Sequence, residues 1–323
     1  MEESQPIMVS IRCLVYNHEP YLRDCLDGFV MQNTNFRFEA VVHDDASTDG
    51  SAAIIREYAD KYPHIIKPIY EIENQYSKQD GTLYRIVNDA CVGKYHAFCE
   101  GDDYWTDPLK LQKQVNFLES HPEYSLCFHN AINRWEDKSQ PDSIIMTGNQ
   151  ISREYHVDEI FDKWFYATAS FVYRKEVANS PVRLKFLSYK GIVGDVPLIL
   201  SASTVGKIYG FADVMSVYRR HNGGWSAQGN FCLTVYKSEL AEATIIGGNL
   251  PKILAKHLAD SYIPLSLNNA IFMHDSIGLY YLLKNYPAYY WPAMMKGAYK
   301  FIKDAIIRKS QKLFKRYTKK LVS

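Results

Sequence analysis

The chain lacks any paired-cysteine framework. Its six Cys, at positions 13, 25, 91, 99, 127 and 232, form no C-x-x-C pair, and several lie inside apolar, strand-like runs. This excludes a zinc ribbon or a disulfide-stapled fold and fits buried free thiols in a reducing compartment. Long apolar runs are also missing: no uninterrupted stretch approaches the roughly 18 residues a membrane span needs. The start, Met1-Glu2-Glu3-Ser4-Gln5-Pro6, is acidic and has no signal-peptide core. Glycine-rich phosphate loops are absent, with neither G-x-G-x-x-G nor G-x-x-x-x-G-K-S/T, and G-x-S-x-G and H-E-x-x-H do not occur. No internal repeat or low-complexity segment is present.

What remains is ordinary globular material, 47% hydrophobic and 23% charged over 323 residues, enough for one large domain with an appendage or for two domains. Aromatics are generous at 14%; their faces suit carbohydrate and nucleotide sites as well as cores, so the surplus alone decides nothing. The net charge of +1 hides an asymmetry. Residues 294–323 hold ten Lys/Arg (Lys296, Lys300, Lys303, Arg308, Lys309, Lys312, Lys315, Arg316, Lys319 and Lys320) against the single acid Asp304, leaving 27 basic and 35 acidic groups before them. A basic end on an acidic body is a partner signal.

Periodicity predicts strands over Val9 to Val15, Phe38 to Val42, Ile65 to Tyr70, Tyr95 to Cys99, Ser125 to Asn130 and Thr168 to Arg174. Helices are expected over Tyr21 to Val30, Ser51 to Tyr62, Thr82 to Cys91, Asp107 to Ser120 and Asp195 to Ser203, the Asp107 helix with Asp as N-cap and Pro108 in its first turn. Residues 136–156 read as a polar loop, Lys207 to Arg219 as a strand pair or one long strand, and Phe231 onward as helical. The alternation argues for an α/β sandwich with a mostly parallel sheet.

Two acidic clusters each follow a predicted strand. Glu100-Gly101-Asp102-Asp103 places three carboxylates within four residues, and Asp44-Asp45 leads into Ala46-Ser47-Thr48-Asp49-Gly50. Carboxylates that close repel and lose solvation unless a cation joins them. Hard divalent cations such as Mg²⁺ or Mn²⁺ take oxygen ligands and share their shell with phosphate and water. In open α/β sheets ligands sit beyond the carboxyl ends of the strands, so two such clusters would face one crevice. Either cluster alone reads more readily as a polar turn, with Asp49 capping the next helix; the pair together favours the site.

These residues resemble the inverting family 2 glycosyltransferases of GT-A fold. The likeness runs from Val9-Ser10-Ile11 and Tyr16-Asn17 through both acidic clusters and Gly194-Asp195 to Tyr218-Arg219-Arg220-His221-Asn222-Gly223-Gly224-Trp225-Ser226, about residues 7–228. It implies a catalytic domain over 1–230, a Rossmann-like α/β/α sandwich, followed by a helical region over 231–323 ending in the basic amphipathic segment. It places Tyr16, Asn17, Asp45, Asp102, Arg219 and Trp225 at a nucleotide-sugar donor, with Asp45 on the base. It places Glu100, Asp102, Asp103 and His221 at a Mn²⁺ or Mg²⁺ ion; Glu100 stands where the family more usually has Asp. Asp195 is implied as general base, taking the proton from the acceptor hydroxyl. Asp195 would also serve as a helix N-cap, the Arg219–His221 run could be a solvated basic turn, and Trp225 could stack on a sugar or merely anchor its loop. The other nine His form no i, i+3 or i, i+4 pair and read as surface or core residues.

The resulting expectation is a cytoplasmic, metal-dependent hexosyl- or hexosaminyltransferase. It moves sugar from a nucleotide donor, UDP-linked first, to a hydroxyl of a glycan or lipid-linked glycan in surface-polysaccharide assembly. The basic tail, with Met295, Tyr299, Ile302, Ile306, Leu313, Tyr317 and Leu321 near helical spacing, suits an anionic membrane surface or packs on the protein itself. No nucleic-acid module accompanies it. The rival readings are a metal-dependent nucleotidyltransferase, which would release pyrophosphate, and a non-catalytic nucleotide-sugar-binding protein.

Overall fold

The computed structural model describes residues 5–78, 80–146, 151–157, 159–160, 166–187 and 194–224, all within the compact unit Met1–Gln228. Trp225, Cys232 and the expected helical region with its basic tail lie outside the described residues. The first half of the sheet comes from largely apolar runs interrupted by a few polar residues: β1 (Ile7–Val15), β2 (Arg37–Asp44), β3 (Ile66–Tyr70) and β4 (Tyr95–Phe98). They pair with one another in parallel, in the order β3-β2-β1-β4. Helices α1 (Leu22–Val30), α2 (Ser51–Lys61) and α3 (Thr82–Ala90) make the crossovers. Strands buried on both faces need such runs, and parallel neighbours need such crossovers.

The second half is mixed. It contains β5 (Tyr104–Trp105), α4 (Lys110–Ser120), β6 (Tyr124–Trp135), β7 (Ser143–Ile144), β8 (Arg153–Tyr155) and β9 (Val172–Arg174). After it come α5 (Lys175–Ala178), α6 (Pro181–Leu187), α7 (Asp195–Val205) and β10 (Lys207–Arg220). β9 pairs antiparallel with both β4 and β6, and β10 lies parallel to β6 and antiparallel to β5 and β8. The α/β expectation is borne out, with the parallel character concentrated in the N-terminal half.

Several boundaries differ from the sequence reading. The helix expected from Asp107 starts at Lys110, because Asp107 Oδ1 accepts the Leu109 N–H at 2.8 Å and closes a turn first. The 136–156 stretch contains β7 and β8 instead of loop alone. Thr168–Ser170 is a turn of 3₁₀ helix, so the expected strand begins only at Val172. Lys207–Arg220 is one long strand.

The core lies between β1 and α1, where Val9, Ile11, Cys13 and Val15 meet Leu22, Leu26 and Phe29. Phe29 stacks edge-on to the buried Trp105 at 5.0 Å, and a Cβ on Gly28 would come within 2.9 Å of the Trp105 backbone nitrogen. Only glycine lets α1 approach β5 so closely. Among the described residues no helix is long and apolar enough to cross a membrane.

Candidate active site

The end of β1 ties both acidic clusters together. Val15 O accepts the Asp45 N–H at 2.9 Å, and Leu14 O accepts the Gly101 N–H at 2.9 Å. The two loops are thus hung from adjacent carbonyls of one strand, at its carboxyl end. A third loop, after β1, joins them: Asn17 Oδ1 accepts the Thr48 N–H at 2.8 Å, and Ser51 Oγ accepts the His18 N–H at 3.0 Å. Asn17 takes a left-handed backbone (φ 56), which Asn tolerates better than most residues. Tyr16 beside it is half-exposed at the rim.

Asp45 is turned inward. Its Oδ1 accepts the Gln75 N–H at 2.6 Å and its Oδ2 the Tyr76 N–H at 2.9 Å, so it pins the turn after β3. Asp49 accepts the N–H groups of Ser51 and Glu19 at the start of α2, but the N-cap position is Gly50 and not Asp49 as the turn reading expected.

In the second cluster the carboxylates have separate roles. Asp102 Oδ2 lies 3.0 Å from His221 Nε2 and 3.8 Å from His18 Nε2. Burial disfavours the Asp102 charge, but the His221 hydrogen bond and the two imidazoles outweigh it and hold the carboxyl below its ordinary range. Asp103 is buried; its Oδ1 accepts the Arg219 N–H at 2.8 Å, and its Oδ2 has no partner. Desolvation and the Asp102 charge push it well up. Glu100, partly buried and facing the charges of Asp102 and Asp195, is pushed up to about 8, desolvation being the larger cause. Gly101 is required here, since a Cβ would stand 2.8 Å from His18 Nδ1 and 2.9 Å from Val15 Cγ2.

The Arg219 guanidinium is fully engaged. It pairs with Asp24 and with Glu136 at 2.8 Å, donates to the Asp102 carbonyl at 3.1 Å, and lies over Tyr104 at 4.4 Å. It braces the end of β10 that carries His221. Asp195 opens α7; its Oδ1 accepts the N–H of Val196 at 2.9 Å and its Oδ2 the Tyr166 hydroxyl at 3.4 Å. Desolvation raises it above the ordinary carboxylate range.

The sequence reading missed His18 and Tyr166. His18 follows Asn17 directly, but nothing in its spacing announces an approach to Asp102. Among the described residues no group of three or more His, Cys, Asp or Glu is assembled as a metal cage. The Asp102–His221 pair, hydrogen-bonded at 3.0 Å, offers one oxygen and one nitrogen of the kinds Mg²⁺ or Mn²⁺ can take in place of the shared proton. Two ligands at right angles, each about 2.1 Å from such an ion, stand about 3 Å apart, and these ions take their remaining ligands from phosphate and water.

A profile of the family described as Glycosyl transferase family 2 matches residues 10–180. The chain belongs to that family. Among curated relatives, Rv1520 of Mycobacterium tuberculosis, itself uncharacterized, is 38% identical over 216 residues. That match spans 67% of this chain and 60% of the mycobacterial protein. WfaP of Escherichia coli, named a UDP-Glc:alpha-D-GlcNAc-diphosphoundecaprenol beta-1,3-glucosyltransferase, is 29% identical over 113 residues, covering 35% of this chain and 42% of WfaP. Among solved structures, TarS of S. aureus in complex with UDP-GlcNAc superposes with a TM-score of 0.59 at 17% identity, covering 82% of this chain and 73% of TarS. At that identity the likeness establishes the fold, and the family member carries the expected GT-A architecture.

Proposed function

We propose that this chain is an inverting glycosyltransferase that moves a sugar from a nucleotide-sugar donor to a hydroxyl of a glycan or lipid-linked glycan. The observation that carries the proposal is the Asp102–His221 pair at 3.0 Å, set on the crevice that Glu100 and Asp195 also face. A UDP-linked donor and an acceptor on a lipid diphosphate are what the name of WfaP states for that relative, and UDP-GlcNAc is what TarS holds. Surface-polysaccharide assembly is the matching biological setting.

Asp102 and His221 would hold Mn²⁺ or Mg²⁺, with Glu100 and Asp103 behind them. When bound, the ion neutralises charge that develops on the departing diphosphate. Asp195 accepts the proton of the acceptor hydroxyl as that oxygen attacks the anomeric carbon and the bond to the diphosphate oxygen breaks. A single displacement inverts the anomeric centre. Its raised proton affinity, due first to desolvation, makes Asp195 a better base than an exposed carboxylate. The half-exposed Tyr16 and the turn pinned by Asp45 shape the base-binding end. Residues 1–230 form the catalytic domain, and the region from 231 on contributes acceptor or membrane contacts.

The test is product identity. Incubation with UDP-sugars, Mn²⁺ and a glycan acceptor should release UDP; release of pyrophosphate from a nucleoside triphosphate and a sugar phosphate would move the protein to the nucleotidyltransferases. Membership in the glycosyltransferase family favours the first outcome.

A further inference from the structure

Two guanidinium groups lie buried on β1 and α6 without an ion pair among the described residues, the nearest carboxyl acting on either being that of Asp195 on Arg183. Arg12 on β1 is 2% exposed and Arg183 on α6 is 4% exposed. Each lies 4.4 Å from the centroid of the same ring, Tyr84 of α3. Each is bonded to neutral oxygens: Arg12 Nη1 to the Tyr173 hydroxyl at 2.8 Å, Arg183 Nη1 to the Gly194 carbonyl at 3.0 Å, and both to the Tyr84 hydroxyl, which they make more acidic. The Nε–H of both is buried without a partner. Among the described residues neither is in an ion pair, whereas the equally buried Arg219 is paired with both Asp24 and Glu136. An arginine has five N–H donors and is always charged, so burying two around one aromatic ring is unfavourable without an anion. The ring face offsets part of that charge, not the repulsion between the two cations.

Their position says which part of a substrate would bring the anion. Arg12 pairs across the sheet with Phe98, two residues before Glu100. Arg183 holds the carbonyl of Gly194, the residue preceding Asp195. Arg183 therefore lies within electrostatic reach of Asp195, the proposed base, and Arg12 sits beside the strand that leads to Glu100. In the reading proposed above the donor sugar reacts at Asp195, next to Arg183.

We infer that Arg12 and Arg183 bind a carboxylate carried by the donor sugar, so that the preferred donor is a nucleotide-linked hexuronate and not a neutral hexose. This rests on the nucleotide-sugar reading above. A carboxylate presents two coplanar oxygens that match the guanidinium fork, and a neutral hydroxymethyl group at the same carbon leaves both charges unpaired.

The test uses the full chain with Mn²⁺ and calorimetric binding. UDP, dTDP, GDP and CDP are compared first, then the glucose, glucuronate and galacturonate conjugates of the best binder. The expected result is that one uronate conjugate binds at least roughly tenfold tighter than the glucose conjugate. In Arg183→Met that preference disappears, affinity for the bare nucleotide persists, and the melting temperature of the unliganded protein is equal or higher, because a buried unpaired charge is gone. A merely structural arginine would instead lower it. Arg183→Lys, which keeps the charge, retains part of the preference and serves if the Met variant does not fold. Equal affinity for the glucose and uronate conjugates overturns the inference while the donor reading stands. Binding of a short polyprenyl phosphate that Arg183→Met abolishes, with no uronate preference, assigns the anion to the acceptor and also overturns it. If no nucleotide binds, the donor reading falls and this inference with it.

Discussion

Glu100 is pushed up to about 8 from an ordinary 4.5, by desolvation first and then by the charges of Asp102 and Asp195. The native state therefore keeps a proton that the unfolded chain loses above about pH 4.5, and the unliganded protein loses stability as pH rises through about 8. Melting temperatures measured from pH 5 to 9 in EDTA should fall toward alkaline pH, and Glu100→Gln should flatten that slope; parallel curves would refute the assignment. Asp195→Asn should lower kcat by about 10²–10⁴-fold while donor affinity stays near the parent value, as steady-state kinetics and calorimetry would report. A variant with full transfer rate would remove Asp195 from the reaction. Residue types and local motifs were legible in the sequence, because clustered carboxylates are unusual wherever they occur. Their division of labour was not. His221 stands 119 positions from Asp102 and reaches it at 3.0 Å only through the length of β10, and Arg219 turns out to be spent on Asp24 and Glu136. The His18 approach to Asp102 depends on a loop after β1 whose course is set by Asn17 and Ser51.

The turn after β3 depends on Asp45. Asp45→Ala leaves the Gln75 and Tyr76 N–H groups without acceptors, one of them buried, and should destabilise the protein by about 1–3 kcal/mol in a denaturant titration. Asp45→Asn, which keeps one acceptor oxygen, should lose less; an unchanged midpoint in Asp45→Ala would mean that the turn holds without it. At this scale the parallel strands were legible, since strands covered on both faces must be nearly continuous apolar runs. The short strands were not. β5 and β7 are only two residues long, and β8 pairs with a strand more than fifty positions later, so neither periodicity nor local turn chemistry marks them. The late start of α4 came from Asp107 bonding to Leu109 in place of capping the helix at once, a competition that a short polar side chain commonly sets up.

For the whole molecule, the parallel half of the sheet brings three loops to the end of β1, and the mixed half brings β10 and α7 to the same crevice. The family and fold were legible because several motifs occur in one order, and residues 10–180 match the family profile. Donor, acceptor and linkage were not, because those depend on surfaces built from segments far apart in the chain. Deleting residues 294–323, which hold ten Lys/Arg and one acid, should reduce flotation with anionic liposomes and leave neutral liposomes unaffected; equal flotation would end the membrane reading. The central claim is that Asp102 and His221 hold a divalent cation that completes a nucleotide-sugar site. It is tested most directly by thermal shift with UDP, dTDP, GDP and CDP, in Mn²⁺ or in EDTA, on the parent, Asp102→Ala and His221→Ala proteins. The account predicts that UDP or dTDP raises the melting temperature only with Mn²⁺ and that either substitution abolishes the rise. A nucleotide shift that is as large in EDTA, or that survives both substitutions, would contradict it.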